Sequence, residues 1–356
     1  MLKVKNSFME IDSSKIGSTL KYLQTLFLIF FLLSFAGCGL QKEVSFSGKT
    51  MGTTYHIKVV AGVFTNTKDL KDQIDMRLDE INKSMSTFRK DSEISRFNAH
   101  QNVGEKFRIS DDFYNVMTVA KMIYEETGGA WDGTIKPLVD LWGFGKSENK
   151  HTIPEKSRIA ALLPNIGFNN IEIFAGHYLA KKNTTITLDL ASIAKGYGVD
   201  QVAALIRANG IHNFLVEIGG EVFAAGLRKD GKKWKIGINR PQKNAPVDQV
   251  YKIVNLQDKG FATSGDYRNY FEVNQKRFSH VIDPRNGYPV DNGVVSVSII
   301  ANTCTFADGL ATAVMVLGHK KGLDLVNRLD NTECFIVTKR EDGDLIDHYS
   351  RGFKTE

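Results

Sequence analysis

The chain has 356 residues, 42% hydrophobic and 24% charged, an ordinary globular balance with room for one large domain or two smaller ones. The net charge of +6 is modest, part of it lies at the N-terminus, and no Lys/Arg cluster is interleaved with aromatics, so nucleic acid is not an expected partner. Seven prolines, no low-complexity tract and no internal repeat argue against a linker-rich or solenoid protein.

In chain order, Lys15 and Lys21 precede the apolar run Leu26–Leu33, and small residues follow. That arrangement is a secretory signal, and its apolar core is shorter than the ~18–20 residues of a membrane span. Ala36 and Gly37 directly before Cys38 resemble a bacterial lipoprotein signal, which implies acylation of Cys38. An ordinary signal peptide or an uncleaved anchor is the alternative, and either places the folded part outside the cytoplasm. The expected plan is a signal peptide over 1–37, a lipid-anchor tether over 38–46, a catalytic domain over 47–345 and a C-terminal tail over 346–356. Cys304 and Cys334 either pair in an oxidising compartment or serve as small buried hydrophobes.

Alternation predicts a strand over Thr53–Val60, and Leu70, Ile74, Leu78 and Ile81 fall at helical spacing. Met85–Asn98 reads as a loop with a short helix, and Asp111–Gly129 as an amphipathic helix capped by Ser110 or Asp111. A strand to Leu190 is expected to turn into a helix ending at Asn209-Gly210. Further strands follow, one pair of them joined by Gly219-Gly220, then an apolar helix from Cys304 to Gly318, a second helix and a last strand at "ECFIVTK". Strands crowded together with interspersed helices predict an α+β fold, mostly antiparallel sheets with flanking helices. No G-x-G-x-x-G follows a strand.

Asp308 and Thr312 lie four apart on one face of the apolar helix. Capping and a back-bonded threonine are the plain explanation. The alternative is a hard-cation site: a carboxylate and a hydroxyl at i,i+4, with a main-chain carbonyl from a strand-to-helix turn, offer Mg²⁺ the oxygen ligands it takes. Asp189, Ser192 and Lys195 mark such a turn, and a nearby lysine suits a pyrophosphate. His280, in "FSHVIDP", is the side chain whose ordinary pKa lies nearest working pH.

Eight stretches in fixed order then resemble the ApbE family of FAD:protein FMN transferases. They are "MGTTYHI", "MSTFRKDSEISRFN", "WDGTIKPLVDLWGFG", "LDLASIAKGYGVD", "VEIGGEV", "ATSGDYRNYF", "HVIDPRNGYPV" and "TFADGLATAVMVLG". The resemblance implies an ApbE-like fold and Mg²⁺-dependent transfer of FMN from FAD to a Thr or Ser hydroxyl, with AMP leaving. It implies Asp308, Thr312 and the Ser192 carbonyl as metal ligands, and FAD contacts at Met51, Phe88, Ala130, Trp131, Asp132, Asp189, Lys195 and Ile282. His280 is the candidate general base. Phe88 and Trp131 would offer aromatic surface, unless they pack in the core. The implied acceptors are flavoproteins of membrane electron-transfer complexes or reductases, met by a membrane-anchored lipoprotein on the periplasmic side. A Mg²⁺-dependent FAD pyrophosphatase and a non-catalytic flavin-binding lipoprotein are the competing readings.

Overall fold

The computed structural model describes residues 40–145, 152–242, 249–267, 269–274 and 276–356; the expected signal peptide and Cys38 lie outside these. The chain divides into two compact units. Among described residues the small one comprises 40–42 and 62–65, where Val63 N–H donates to the Leu40 carbonyl at 2.9 Å. The other unit spans Glu43–Ala61 and Asn66–Glu356 and holds the candidate site.

Among the described residues strands β1 (Gln41–Thr50) and β2 (Thr53–Gly62) come first, followed by helices α1 (Leu70–Met85) and α2 (Glu93–Ala99). Strand β3 (Phe107–Arg108), helices α3 (Asp111–Glu126), α4 (Lys136–Leu141) and α5 (Lys156–Leu162), and strands β4 (Ile171–Phe174) and β5 (Tyr178–Lys181) come next. Helix α6 (Ala191–Ala208) leads into β6 (Asn213–Ile218), β7 (Glu221–Ala225), β8 (Trp234–Asn239), β9 (Val250–Leu256) and β10 (Lys259–Gly265). The hairpin β11 (Tyr270–Val273) and β12 (Lys276–Ser279), strand β13 (Val294–Ala301), helix α7 (Cys304–Val326), β14 (Glu333–Lys339) and β15 (Leu345–Tyr349) complete it. None of these helices is long and apolar enough to cross a membrane.

An eight-stranded sheet, in the order β1-β2-β6-β7-β10-β13-β14-β15, forms the frame, and its registered pairs from β2 onward are antiparallel. Tyr55, Ile57 and Val59 alternate onto the face that packs against α1 and α6, with Leu70, Ile74, Val199 and Ile206 beside them. The β8–β9 hairpin covers the other face through Trp234, Ile236, Ile238 and Val254. Central β7 is therefore buried at all five positions, which its unbroken apolar run "VFAA" reflects. The fold is α+β with antiparallel sheets, as the element pattern predicts.

Three local expectations are corrected. The stretch 38–46 overlaps β1: Val44 and Phe46 alternate inward against the core, so strand begins at Gln41. Residues 346–356 are part of the domain, because β15 pairs with β14 and Phe353 is buried against Phe335. The approach to Leu190 is extended without a strand partner; Asn98 holds it instead, its Oδ1 accepting the Leu188 N–H at 2.7 Å and its Nδ2 donating to the Leu188 carbonyl at 2.9 Å. The two helices expected on either side of Gly318 are present: α7 is two helical stretches meeting at a kink, with Gly318 at φ 80° and outside helical geometry. Glycine adopts that conformation without strain, and Asn292 Nδ2 donates to the Met315 carbonyl that the kink frees. Cys304 and Cys334 are free and buried.

Candidate active site

The site is built where α6 meets α7. A Cβ at Gly196 would lie 2.4 Å from the Cys304 carbonyl oxygen and 2.9 Å from the Asp308 Cβ, so only glycine permits this approach. Gly196 N–H donates to Asp308 Oδ2 at 3.0 Å. In a regular helix that N–H points toward the carbonyl four residues back, here Ser192. Asp308 therefore stands beside the turn that carries the Ser192 carbonyl. Asp200, two turns on, accepts the Cys304 and Thr305 N–H groups at 2.8 Å, placing negative charge at the positive end of α7.

The cap of α7 is Thr303, whose Oγ1 accepts the Phe306 N–H at 3.3 Å. Asp308 is thus no cap; it sits in the second turn, 3% exposed. Thr312 Oγ1 pairs across to Ser264 Oγ on β10 at 3.1 Å. The two oxygen-bearing side chains are held for something other than helix termination.

Lys195 reaches the same place, its Nζ 2.7 Å from Glu221 Oε1 and 4.0 Å from Asp308 Oδ1. Burial opposes its charge, but Asp308 and Glu221 outweigh burial and raise its pKa. Burial, with Asp308 beside it, pushes the Glu221 carboxyl up. Glu221 Oε2 is buried and has no hydrogen-bond partner among the described residues. Two buried carboxylates against one ammonium leave negative charge uncompensated, which burial makes costly. Sequence reasoning missed Glu221; its signal was the Gly-Gly turn before it, whose geometry Glu217 Oε1 fixes by accepting the Gly220 N–H at 2.6 Å.

His280 Nδ1 lies 3.0 Å from the Asn269 carbonyl oxygen, which also accepts the His280 backbone N–H at 3.2 Å. A carbonyl only accepts, so Nδ1 carries the hydrogen and Nε2 is the basic nitrogen of the neutral ring. Burial, and then the Arg277 cation, lower its pKa, while the Asn269 contact works the other way. Phe144 packs edge-on to the ring with centroids 6.3 Å apart.

A cavity of about 450 Å³ gathers Ala130, Trp131, Asp132, Asp189, Ser192, Lys195, Glu221, His280, Ile282, Asp308 and Thr312 in one wall. A second, of about 330 Å³, is lined by Met51, Ile81, Met85, Phe88 and Ala194, and shares Asp189, Ala191 and Lys195 with the first. Every candidate residue in the described chain thus lines one of two adjoining spaces. Phe88 is exposed at the rim of the smaller one.

Some side chains are committed to the framework. The Trp131 ring is 1% exposed against Phe168, and its Nε1–H donates to Ser192 Oγ at 3.0 Å, so it packs and holds the turn rather than offering a stacking face. The Asp132 carboxylate accepts from Thr134 at 2.8 and 2.6 Å and from Phe168 N–H at 3.1 Å. Asp189 Oδ1 accepts the Ala191 N–H at 2.9 Å in a turn just ahead of α6, whose N-cap is Leu190, and its own N–H donates to the Gly133 carbonyl at 2.7 Å.

Among the described residues no three His, Cys, Asp or Glu side chains converge as a metal cluster. The mixed set of carboxylate, hydroxyl and carbonyl oxygens suits a hard divalent ion, and the uncompensated charge around the unpartnered Glu221 Oε2 fits one. Adjoining cavities meeting at Lys195 fit an elongated ligand with an anionic middle.

The ApbE family model matches residues 51–336. An FAD:protein FMN transferase from Vibrio cholerae serotype O1 is 42% identical over 91% of this chain and 96% of its own, and one from Escherichia coli K12 is 35% identical over 83% and 84%. The solved flavin transferase ApbE from Vibrio cholerae superposes with a TM-score of 0.79 at 39% identity, covering 88% of this chain and 99% of that one. The apo flavinyl transferase ApbE from Pseudomonas stutzeri gives 0.79 at 37%, over 88% and 96%. Matched along most of its length in sequence and in fold, the chain belongs to the ApbE family.

Proposed function

We propose that this chain transfers FMN from FAD to a Thr or Ser hydroxyl of an acceptor protein, releases AMP, and uses Mg²⁺. The observation that carries this is the convergence of Asp308, Thr312, Ser192 and Lys195 from α6 and α7 on a cavity that also contains His280. The names of its relatives supply the substrate.

The acceptor oxygen forms a bond to the flavin-side phosphorus, the P–O bond to AMP breaks, and the hydroxyl proton passes to His280 Nε2. Such a displacement depends on positioning and charge neutralisation more than on covalent help. Lys195 supplies positive charge for the pyrophosphate, restrained by Glu221. The Asp308 carboxylate, Thr312 hydroxyl and Ser192 carbonyl would hold the ion, which when bound neutralises and orients the phosphates. Met51, Phe88, Met85 and Ile81 offer an apolar wall to a ring system. The neutral imidazole is the competent base, and its lowered pKa keeps that form populated at neutral pH.

We also place the enzyme outside the cytoplasm, acylated at Cys38 and serving flavoproteins at the membrane, on the strength of Lys15, Lys21, the apolar run and "AGC". Mass spectrometry of the mature N-terminal peptide checks this, and an unmodified Cys38 in membrane-extracted protein refutes it.

The decisive experiment mixes protein, FAD, Mg²⁺ and a candidate acceptor, then reads covalent flavin fluorescence on a denaturing gel together with AMP. AMP and free FMN without labelled acceptor would point to a pyrophosphatase. FAD bound without turnover under any metal would leave only a flavin-binding protein.

A further inference from the structure

Residues on either side of Asn269, whose carbonyl fixes the His280 tautomer, are contacted by a side chain outside the catalytic set. Arg277, on β12, donates from Nη2 to the Asp266 carbonyl at 2.7 Å and lies 3.1 Å from Asp266 Oδ1. Its guanidinium carbon stands 4.0 Å from the centroid of the Tyr270 ring. One planar group thus grips residues on both sides of Asn269. Asp266 is anchored in turn: it is 6% exposed, and its N–H donates to the Val295 carbonyl on β13 at 3.3 Å. The observed contacts run from the central sheet through Asp266 to Arg277 and on to Tyr270, the neighbour of Asn269.

We propose that Arg277 is a positioning residue for His280, bracing Asp266 and Tyr270 on either side of Asn269 so that the Asn269 carbonyl keeps the proton on Nδ1 and leaves Nε2 basic. The role rests on His280 acting as the base. Arginine suits it: Nη2 donates to the Asp266 carbonyl at ion-pair distance from its carboxylate, while the guanidinium plane lies over the Tyr270 ring, a combination lysine does not reproduce. Arg277 also faces His280 as a cation, while the other charged groups lining the cavity are Asp132, Asp189, Lys195, Glu221 and Asp308. Removing the Arg277 charge therefore raises the imidazole pKa, and since the base must be deprotonated, the acid limb of the rate profile moves to higher pH.

The test compares the full chain with Arg277→Gln and Arg277→Lys, by ¹⁵N NMR of the His280 ring over about pH 5 to 8 and by flavin-transfer kinetics. In Arg277→Gln, mixed tautomers, a higher titration midpoint, about a tenfold fall in kcat and an unchanged KM for FAD are expected. Arg277→Lys keeps the midpoint, because the charge remains, yet still mixes the tautomers and lowers kcat. A His280 ring that stays in the Nδ1–H form in both variants, with wild-type kcat, overturns the proposal. Should Arg277→Gln fail to fold, Asp266→Asn loosens the same brace and is read the same way. His280→Ala with intact transfer would remove the base assignment alone, since the tautomer readout does not depend on turnover.

Discussion

Gly196→Ala tests the close approach on which the site depends. The added Cβ would meet the Cys304 carbonyl oxygen at 2.4 Å, its carbon at 2.7 Å and the Asp308 Cβ at 2.9 Å. Two of these are backbone atoms, so no flexible side chain can swing away. Restoring an ordinary 3.4 Å contact needs about 1 Å of separation between α6 and α7. Overpacking of this kind costs about 1–3 kcal/mol, and backbone contacts put it at the upper end. Alanine returns about 1 kcal/mol through helix propensity. The net is about 2 kcal/mol, or roughly 4 °C in Tm at ~2 °C per kcal/mol for a chain of this size. The same separation stretches the 3.0 Å bond from Gly196 N–H to Asp308 Oδ2 beyond hydrogen-bond range. Thermal unfolding should thus show a modest loss, while calorimetric Mg²⁺ titration shows a large one. A variant with wild-type Tm and wild-type Mg²⁺ dependence would refute the packing argument.

Asp308→Asn and Thr312→Val should each leave a folded chain whose Mg²⁺-stimulated AMP release is lost, Asp308→Asn the more completely because it removes charge; full activity in Asp308→Asn would exclude this carboxylate from the ion site. Glu221→Gln keeps the shape and an acceptor for Lys195 but removes a buried carboxyl whose ionisation an arriving cation would favour, so Mg²⁺ should bind severalfold more weakly, as Mn²⁺ competition measured by electron paramagnetic resonance would report. Lys181 is 1% exposed, its ammonium donates to the Asn98 and His100 carbonyls at 2.9 and 3.1 Å, and burial lowers its pKa to about 8. Between that value and the ordinary 10.5 the unfolded chain binds more protons, so this group makes stability rise with pH there. Lys181→Met should flatten that part of the curve in unfolding experiments across the range; an unchanged slope would show that the lysine titrates normally.

Periodicity exposed what a single face dictates. Helices α1 and α3 bury apolar residues at three- and four-residue spacing, and the Gly-Gly turn between β6 and β7 announces itself. Edge strands were harder. Burial alternates along all of β1, but of its inward residues only Val44 and Phe46 are large and apolar, and β15 is half-buried throughout most of its length, so neither shows a hydropathy contrast that marks a strand. The metal-binding candidates were legible because Asp308 and Thr312 are polar on an apolar helix. Glu221 was not, since its importance comes from Lys195 arriving from another element. Trp131 illustrates the reverse: an aromatic in a motif invites a stacking role, whereas its indole holds Ser192. Arg277 and Asn269 act through a backbone carbonyl, which no residue type encodes.

The first and last strands among the described residues are the two outer strands of the main sheet. A nascent chain emerging in order can align β2, β6, β7, β10 and β13 progressively, but β14 keeps a bare row of amides and carbonyls until the closing residues appear. Premature termination a dozen residues early would leave that row and the Phe335 ring uncovered. Synthesis to the final turn is therefore a solubility requirement, and a stop codon there endangers the cell's yield of enzyme without touching a single group that meets the substrate.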